Sequence, residues 1–143
     1  MEEIYQNGNA RTVGISNFNV KDMMAILGNC ELKPMANQIK FYIGHVQEQV
    51  TDFCHKNEIL IEGYSPLATG KILNNPQILQ MAEKYKVTLP QLCIRYVLQK
   101  DVLPLPKSVH EEYIRKNAEV DFEISVEDMQ YLDGLKELIR ERW

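Results

Sequence analysis

Two short stretches of the chain combine residue types that could hold a phosphate group and an aromatic ring. They are Leu105-Pro106-Lys107-Ser108-Val109 and Tyr64-Ser65-Pro66-Leu67, and each is an apolar run that ends in hydroxylated or cationic residues before a helical pattern begins. At the start of such a helix, backbone N–H groups, the Ser108 hydroxyl and the Lys107 ammonium would face a common point. The sequence therefore predicts an anion site at the start of the helix that follows Lys107.

Composition excludes several classes of protein. The chain has 143 residues, 45% of them hydrophobic, and a net charge of −4, which fits one globular domain over residues 1–143 and argues against nucleic acid as a partner. No run approaches the roughly 20 apolar residues of a membrane span, and Met1–Gln6 has no apolar signal region. We expect a cytoplasmic protein without a membrane partner.

Cysteine and histidine usage predicts neither disulfides nor a metal. The three cysteines are odd in number, far apart and without a C-x-x-C pair, which favours a reducing compartment. The three histidines have no partner at metal-ligand spacing, and we interpret them as surface or loop residues. They are His45, His55 and His110.

The elements that must position these residues alternate between strand and helix. Short apolar runs without clean polar alternation are typical of a parallel sheet covered by helices. Strands are predicted at about 11–16, 33–39, 58–64 and 101–106, and helices at about 1–7, 20–28, 47–57, 75–85, 89–99, 111–118 and 125–139. The pattern is an α/β fold of four parallel βα units with an additional C-terminal helix. Residues 136–143 mix both charges and are interpreted as a solvated helix end.

Four polar pairs lie near the predicted C-terminal ends of the four strands. Because those ends form one face of a βα architecture, the pairs predict a ligand site. They are Ser16-Asn17, Asn37-Gln38, Tyr64-Ser65 and Lys107-Ser108. Each pair alone could be structural, as a turn, a helix cap or a core aromatic. The G-x-G-x-x-G and G-x-x-x-x-G-K-[ST] phosphate loops and the G-x-S-x-G elbow are absent.

The order of these motifs resembles the aldo/keto reductase family. The matching segments are Val13-Gly-Ile-Ser-Asn-Phe-Asn19, Asn37-Gln38-Ile39, Gly63-Tyr-Ser-Pro-Leu67, Leu105-Pro-Lys-Ser-Val109 and Val120-Asp-Phe-Glu-Ile-Ser125. The resemblance covers essentially the whole chain. It implies the fifth to eighth units of a (β/α)₈ barrel of the TIM type, in a family that reduces aldehydes and ketones with NADPH.

The resemblance also implies a role in cofactor binding for eleven residues. At the nicotinamide end, the carboxamide would be bound by Ser16, Asn17 and Gln38, and the ring would stack on Tyr64. The pyrophosphate would be lined by Ser65, Leu67 and Thr69. At the other end, the adenosine 2′-phosphate would be held by Lys107, Ser108 and Val109, and adenine would contact Asn117. NADP(H) is expected over NAD(H), without a metal. No catalytic residue is assigned, because the family's catalytic tyrosine, lysine, aspartate and histidine belong to the first four units.

The sequence departs from the family pattern at three places. Tyr113 stands where the family usually has an arginine that clamps the 2′-phosphate, and an aromatic ring cannot pair with phosphate. Lys116 stands where an acid is usual and would restore one positive charge. Lys40-Phe41-Tyr42 replaces the usual acid–aromatic–His-Pro segment. Tyr113 predicts a weakened preference for NADP(H), and Lys40-Phe41-Tyr42 alters the wall beside the second strand.

Four strands cannot close a barrel, so an isolated half would expose two sheet edges and an apolar inner face. Three outcomes remain open: a homo-oligomer such as a dimer, a missing N-terminal half supplied separately, or a truncated product. The functional hypotheses are an oxidoreductase chain that binds NAD(P)(H) and reduces carbonyls only when completed, and a non-catalytic structural half-barrel that self-associates. A third hypothesis is an αβ binding module without a nucleotide.

Overall fold

The structure is a computed structural model that describes residues 1–135. The helices are α1 (Glu2–Gln6), α2 (Val20–Asn29), α3 (Glu48–Lys56), α4 (Pro76–Tyr85), α5 (Leu89–Gln99), α6 (Glu111–Ala118) and α7 (Val126–Asp133), with a 3₁₀ turn at Ala68–Gly70. The strands are β1 (Gly14–Ser16), β2 (Ala36–Lys40), β3 (Leu60–Tyr64) and β4 (Leu103–Leu105). The predicted helical extension beyond residue 135 and the solvated helix end lie outside the described residues.

The four strands form one sheet in chain order, β1-β2-β3-β4. Strands β1 and β2 run parallel, with Gly14 opposite Ala36 and Ser16 opposite Gln38. This confirms the predicted α/β architecture of successive βα units. Strand β4 is only three residues long, because Pro104 and Pro106 provide no N–H group for a strand ladder.

The chain divides into two compact units, each with its own core. The first contains Met1–Ile39 and Gln47–Glu62, and the second contains Lys40–Val46 and the described residues from Gly63 to Leu135. In the first unit, the core side chains include Met23, Ile39, Cys54, Ile59 and Ile61, and in the second they include Phe41, Ile43, Ile72, Ile78, Leu92, Tyr96, Val97, Ile124 and Leu132. Burial of these apolar side chains is the main stabilising contribution to each unit.

Helix starts in the chain are encoded by local polar residues. Asn19 and Asp22 form a reciprocal capping box at α2, and Thr88 and Gln91 form another at α5. The Gln91 amide also donates to the Lys116 carbonyl at 3.0 Å and to the Glu119 carbonyl at 3.1 Å. Gln91 therefore starts α5 and fixes the C-terminal end of α6 in the same unit.

Ser125 and Asp128, at the start of α7, have the spacing of a capping box with the shorter acid, and the structure forms half of one. The Ser125 hydroxyl accepts from the Asp128 backbone N–H at 3.2 Å. The Ser125 backbone N–H donates to Tyr85 Oη at 2.8 Å and not to Asp128. The Asp128 carboxylate accepts from Lys84 Nζ at 2.6 Å and from Tyr85 Oη at 2.5 Å, both of which belong to α4. Contacts with α4 therefore take the place of the second capping bond.

Gly63, one residue before Tyr64, is required by packing. A Cβ atom at this position would lie 2.9 Å from Val102 Cγ1, closer than real contacts allow, and 3.1 Å from Phe41 Cβ, which is also tight. The backbone at Gly63 can therefore approach its neighbours only without a side chain.

Candidate functional site

Three of the predicted residues meet at the C-terminal end of β1 in the first unit. Ser16 lies opposite Gln38 in the sheet register. The Asn17 backbone N–H donates to the Gln38 carbonyl at 2.9 Å, and the Ser16 hydroxyl donates to the same carbonyl at 3.2 Å. Asn17 Nδ2 donates to Ser16 Oγ at 3.1 Å. The structure therefore brings Ser16, Asn17 and Gln38 together as one polar cluster.

Asn17 has a left-handed backbone, with a φ of 58°. Asparagine tolerates this conformation better than most residues other than glycine. The left-handed turn follows the last residue of β1 directly and places the Asn17 side chain beside Ser16. Backbone strain of this kind is concentrated at functional sites, which supports a functional interpretation of the turn.

A cavity of about 450 Å³ opens beside the polar cluster in the first unit. It is lined by residues of β1, β2 and β3 and by the residues that directly precede β1 and β2. The lining residues are Thr12, Val13, Gly14, Ile15, Ser16, Met35, Ala36, Gln38, Leu60 and Glu62. Its volume falls within the roughly 300–1,000 Å³ of small-molecule sites.

Glu62 is a member of this cavity that the sequence interpretation missed. Gln38 Nε2 donates to Glu62 Oε2 at 2.8 Å, and both residues are half-buried. A signal was available, because Glu62 is the one charged residue within the apolar run from Ile59 to Gly63. A carboxylate placed inside such a strand is rare unless it has a partner.

Asn37, in contrast, is a structural residue and not part of the cavity. It is fully buried, and its Nδ2 donates to the Phe18 carbonyl at 3.0 Å. Strand β2 ends at Lys40, one residue beyond its predicted end, so Asn37 and Gln38 both lie within the strand near its C-terminal end. Successive residues of a strand face opposite sides, so Gln38 lines the cavity while Asn37 fixes the segment after β1.

The segment after β3 in the second unit has an unusual backbone. Ser65, Ala68 and Thr69 all have left-handed φ values, between 49° and 54°. Tyr64 is the half-buried last residue of β3, and the Thr69 hydroxyl donates to the Ala68 carbonyl at 2.7 Å. Three such residues within five positions make this a strained turn at the C-terminal end of a strand.

A second cavity, of about 420 Å³, lies in the second unit beside the start of α6. We call it the α6 cavity. Its lining residues are Leu67, Leu73, Thr88, Pro90, Lys107, Ser108, Tyr113, Lys116 and Asn117. Four predicted cofactor residues are thus brought together, namely Leu67, Lys107, Ser108 and Asn117. Leu73, Thr88 and Pro90 were not predicted, because they adjoin the cavity only through folding.

The other predicted residues of the second unit do not line the α6 cavity. Val109 is 79% exposed, and Tyr64, Ser65 and Thr69 are absent from its lining. The α6 cavity therefore contains Lys107 and Ser108 but not Val109, the third residue expected at the adenosine phosphate. Tyr64 ends β3, and Ser65 and Thr69 belong to the strained turn that follows it.

The charge around the α6 cavity is partly paired. Lys116 Nζ lies 2.7 Å from Glu112 Oε1, and the hydrogen bond that Lys116 donates to this carboxylate raises the pKa of Lys116. Arg115 is likewise paired with Glu111 at 2.7 Å. These pairs are exposed and therefore weak. Lys107 is the exposed cation at the start of the segment that leads into α6.

The backbone at the start of α6 could also face an anion. His110, the N-cap residue, makes no side-chain capping bond, and Ser108 Oγ accepts from the His110 backbone N–H at 3.2 Å. An ammonium, a hydroxyl, an amide and an aromatic ring share the α6 cavity. This set of donors suits a phosphate attached to a flat heterocycle.

Within residues 1–135, no group of three or more His, Cys, Asp or Glu side chains could hold a metal ion. No helix in the described part of the chain is long and apolar enough to cross a membrane.

Comparisons with known proteins all lead to one family. The Aldo/keto reductase family matches residues 1–137. Glyoxal reductase of Bacillus subtilis (strain 168) is 39% identical over 136 residues, which cover 94% of this chain and 49% of the relative. Aldo-keto reductase family 1 member C18 of Mus musculus is 34% identical, over 98% of this chain and 48% of the relative. The chain spans about half the length of the curated relatives it matches.

Solved structures give the same result. An aldo-keto reductase enzyme, MGS-M4, from a Medee basin deep-sea metagenome library superposes with a TM-score of 0.92 at 31% identity, covering 99% of this chain and 54% of that one. The aldo-keto reductase AKR2E5, from the silkworm Bombyx mori and complexed with NADPH, superposes with a TM-score of 0.89 at 30% identity, covering 97% and 46%. The matched fold is about half of the TIM barrel of these enzymes.

Proposed function

The chain belongs to the aldo/keto reductase family, and from that premise we propose that it is the NADP(H)-binding half of the family's barrel, its fifth to eighth βα units. Carbonyl reduction then requires catalytic residues supplied by the other half of the barrel. Bound NADPH would supply a hydride to the carbonyl carbon of an aldehyde or ketone. The residues of this chain would bind and orient the cofactor.

The observation that carries the proposal is the α6 cavity. It gathers Lys107, Ser108 and Asn117 with Leu67 in a space of about 420 Å³. We propose that Lys107 and Ser108 bind the 2′-phosphate, with the Val109 backbone alongside. Asn117 would contact adenine, and Leu67 would line the pyrophosphate. An ammonium beside a helix start stabilises a phosphate by charge-assisted hydrogen bonds.

The polar cluster of the first unit supports the nicotinamide end of the proposal. Ser16, Asn17 and Gln38 offer hydroxyl and amide groups that match the donors and acceptors of a carboxamide. Tyr64 would stack on the nicotinamide ring, and Ser65 and Thr69 would line the pyrophosphate. NADP(H) contains all the groups that these residues are proposed to bind.

Binding of adenosine 2′,5′-bisphosphate to the purified chain tests the proposal directly, because this ligand carries adenine and the 2′-phosphate without nicotinamide. Lys107→Met should weaken its binding about tenfold or more in calorimetry, since one charge-assisted hydrogen bond is lost. Lys71→Met is the matched control, because Lys71 is exposed and does not line the α6 cavity. Equal losses in both variants would contradict the assignment of Lys107.

A second candidate function is a non-catalytic half-barrel that self-associates. It is favoured by Leu103 and Leu105, which are 44% and 37% exposed on β4. Oxidation of NADPH in the presence of glyoxal, the substrate named by the Bacillus subtilis relative, separates the two candidates when the other half of the barrel is added. We expect no turnover by this chain alone. Turnover by the pure chain would contradict the proposal that the catalytic residues belong to the other half of the barrel.

A further inference from the structure

We propose that Glu62 is a positioning residue that fixes the orientation of the Gln38 amide, so that Gln38 Oε1 accepts an N–H of the nicotinamide carboxamide. The inference rests on the proposed function and extends it to a residue outside the family motifs quoted above. Its basis is the 2.8 Å hydrogen bond from Gln38 Nε2 to Glu62 Oε2.

A glutamine amide has two ends of nearly the same shape, one a donor and the other an acceptor. Without a constraint, Gln38 could present either end to the cavity that it lines. The ionised Glu62 carboxylate offers only acceptor oxygens, and it therefore requires the NH₂ end of Gln38 to face it. The Oε1 end is left as the acceptor for a ligand.

The surrounding groups make this constraint effective. Gln38 and Glu62 belong to strands β2 and β3, and both are half-buried, so water competes only partly for their hydrogen bond. The Ser16 hydroxyl likewise donates to the backbone carbonyl of Gln38, and Ser16 Oγ accepts a hydrogen bond from Asn17 Nδ2. Each polar group of the cluster is thus oriented by a neighbour before any ligand arrives. Such preorganisation strengthens binding because less freedom is lost on association.

The expected ligand group is a primary carboxamide, because its NH₂ end matches an acceptor at Gln38. An acetyl group in the same position offers an oxygen but no N–H. The acetylpyridine analogue of NADP⁺, which differs in that one substituent, therefore reports on the acceptors that face the carboxamide NH₂ group, Gln38 Oε1 among them.

The first test needs no ligand. In ¹⁵N-labelled protein, the side-chain NH₂ resonance of Gln38 should move upfield in proton shift in Glu62→Gln, because a charged acceptor is replaced by a neutral one. The Asn57 side chain, which donates to the Phe53 carbonyl at 2.8 Å, is the internal reference and should not move. Glu58→Gln is the matched control, since the Glu58 side chain is 92% exposed. An unmoved Gln38 resonance would overturn the inference.

The second test measures discrimination between NADP⁺ and its acetylpyridine analogue. The wild-type chain should bind NADP⁺ about tenfold more tightly than the analogue, as one well-made hydrogen bond predicts. In Glu62→Gln the ratio should fall to about threefold or less, since the variant amide no longer dictates which end of Gln38 faces the ligand. Binding of adenosine 2′,5′-bisphosphate should stay unchanged in Glu62→Gln and in the control Glu58→Gln.

The outcomes separate the two proposals. If adenosine 2′,5′-bisphosphate binds but the analogue ratio is the same in wild type and Glu62→Gln, the role of Glu62 is only to link β2 and β3, and the inference fails while the proposed function stands. If adenosine 2′,5′-bisphosphate does not bind at all, the proposed function fails and this inference fails with it.

Discussion

Under the proposed function, Tyr113 limits how tightly the α6 cavity binds a 2′-phosphate. The ring is 54% exposed and packs edge-on against His110, with ring centroids 5.4 Å apart. It can stack on a heterocycle but cannot form the bidentate contacts that a guanidinium makes with phosphate. The Lys116 ammonium, the other cation of the cavity, shares its charge with Glu112.

Tyr113→Arg should therefore raise the affinity for adenosine 2′,5′-bisphosphate about tenfold, by adding a charge-assisted contact. Affinity for 5′-AMP, which has no 2′-phosphate, should change less than about twofold. Calorimetric titration with both ligands provides the measurement. Ile114→Arg is the matched control, because it adds the same charge at an exposed neighbour that does not line the cavity. An equal gain in the control would indicate a general charge effect.

The buried cysteines show how a tertiary environment suppresses side-chain chemistry. Burial raises the pKa of the Cys93 thiol well above its usual range. Burial also raises the pKa of Cys54, and this effect outweighs the opposing hydrogen bond from Asn37. Both side chains are fully buried and serve as small apolar core residues. Neither is a candidate nucleophile.

The contact between α4 and α7 depends on one carboxylate. Asp128 is only 8% exposed, and hydrogen bonds from Lys84 and Tyr85 lower its pKa below that of a free aspartate. The Lys84 side chain is 60% exposed, so solvent screens its share of the interaction. The hydroxyl of Tyr85 also accepts from the Ser125 backbone N–H at 2.8 Å.

Asp128→Asn should destabilise the protein by about 1–2 kcal/mol at pH 7, because a charged acceptor of two side-chain hydrogen bonds is replaced by a neutral one. The folded-state pKa lies below the unfolded one, so this stabilisation is present above the unfolded pKa and is lost as pH falls through the folded pKa. Urea unfolding of both proteins between pH 7 and pH 2 should therefore converge at the acidic end. Asp52→Asn, at an exposed position of α3, should remain within about 0.5 kcal/mol of wild type throughout. A constant Asp128→Asn difference across the range would contradict this account.

The described sheet has two outer strands, β1 and β4, and does not close on itself. Eight tilted strands are needed to close a barrel of this type. Leu103 and Leu105 of β4 are 44% and 37% exposed to solvent. Exposed apolar strand residues beside an open edge favour association with another chain.

We predict that the purified chain self-associates through this apolar surface. Sedimentation velocity should show a concentration-dependent dimer, and Leu103→Glu with Leu105→Glu should shift the chain toward monomer. Leu79→Glu is the control, since Leu79 has a similar exposure of 40% but lies on α4. A wild-type monomer that binds no hydrophobic dye would contradict the prediction.

The helices and the polar motifs were readable from the sequence because their causes are local. Helix α5 begins and ends where predicted, because Thr88, Gln91 and Pro90 determine its first turn within a few residues. The resemblance placed Lys107, Ser108 and Asn117 in one site, and all three line one cavity. Lys107 and Ser108 lie between β4 and α6, and Asn117 lies in α6. Their separation follows from the length of this single strand–helix segment, which can be read from the sequence.

Contacts between distant segments were decided only by the tertiary structure. The pairing of Gln38 with Glu62 depends on which residues of β2 and β3 face the same side, and a shift of one residue would separate them. The Asp128 carboxylate accepts hydrogen bonds from Lys84 and Tyr85, which belong to a helix distant in sequence. Asn37 carries an amide like its neighbour Gln38, but its side chain is fully buried and does not line the cavity. Sequence alone determined the elements and the residue types of the site, whereas strand register and helix packing decided which polar groups face a ligand and which face each other.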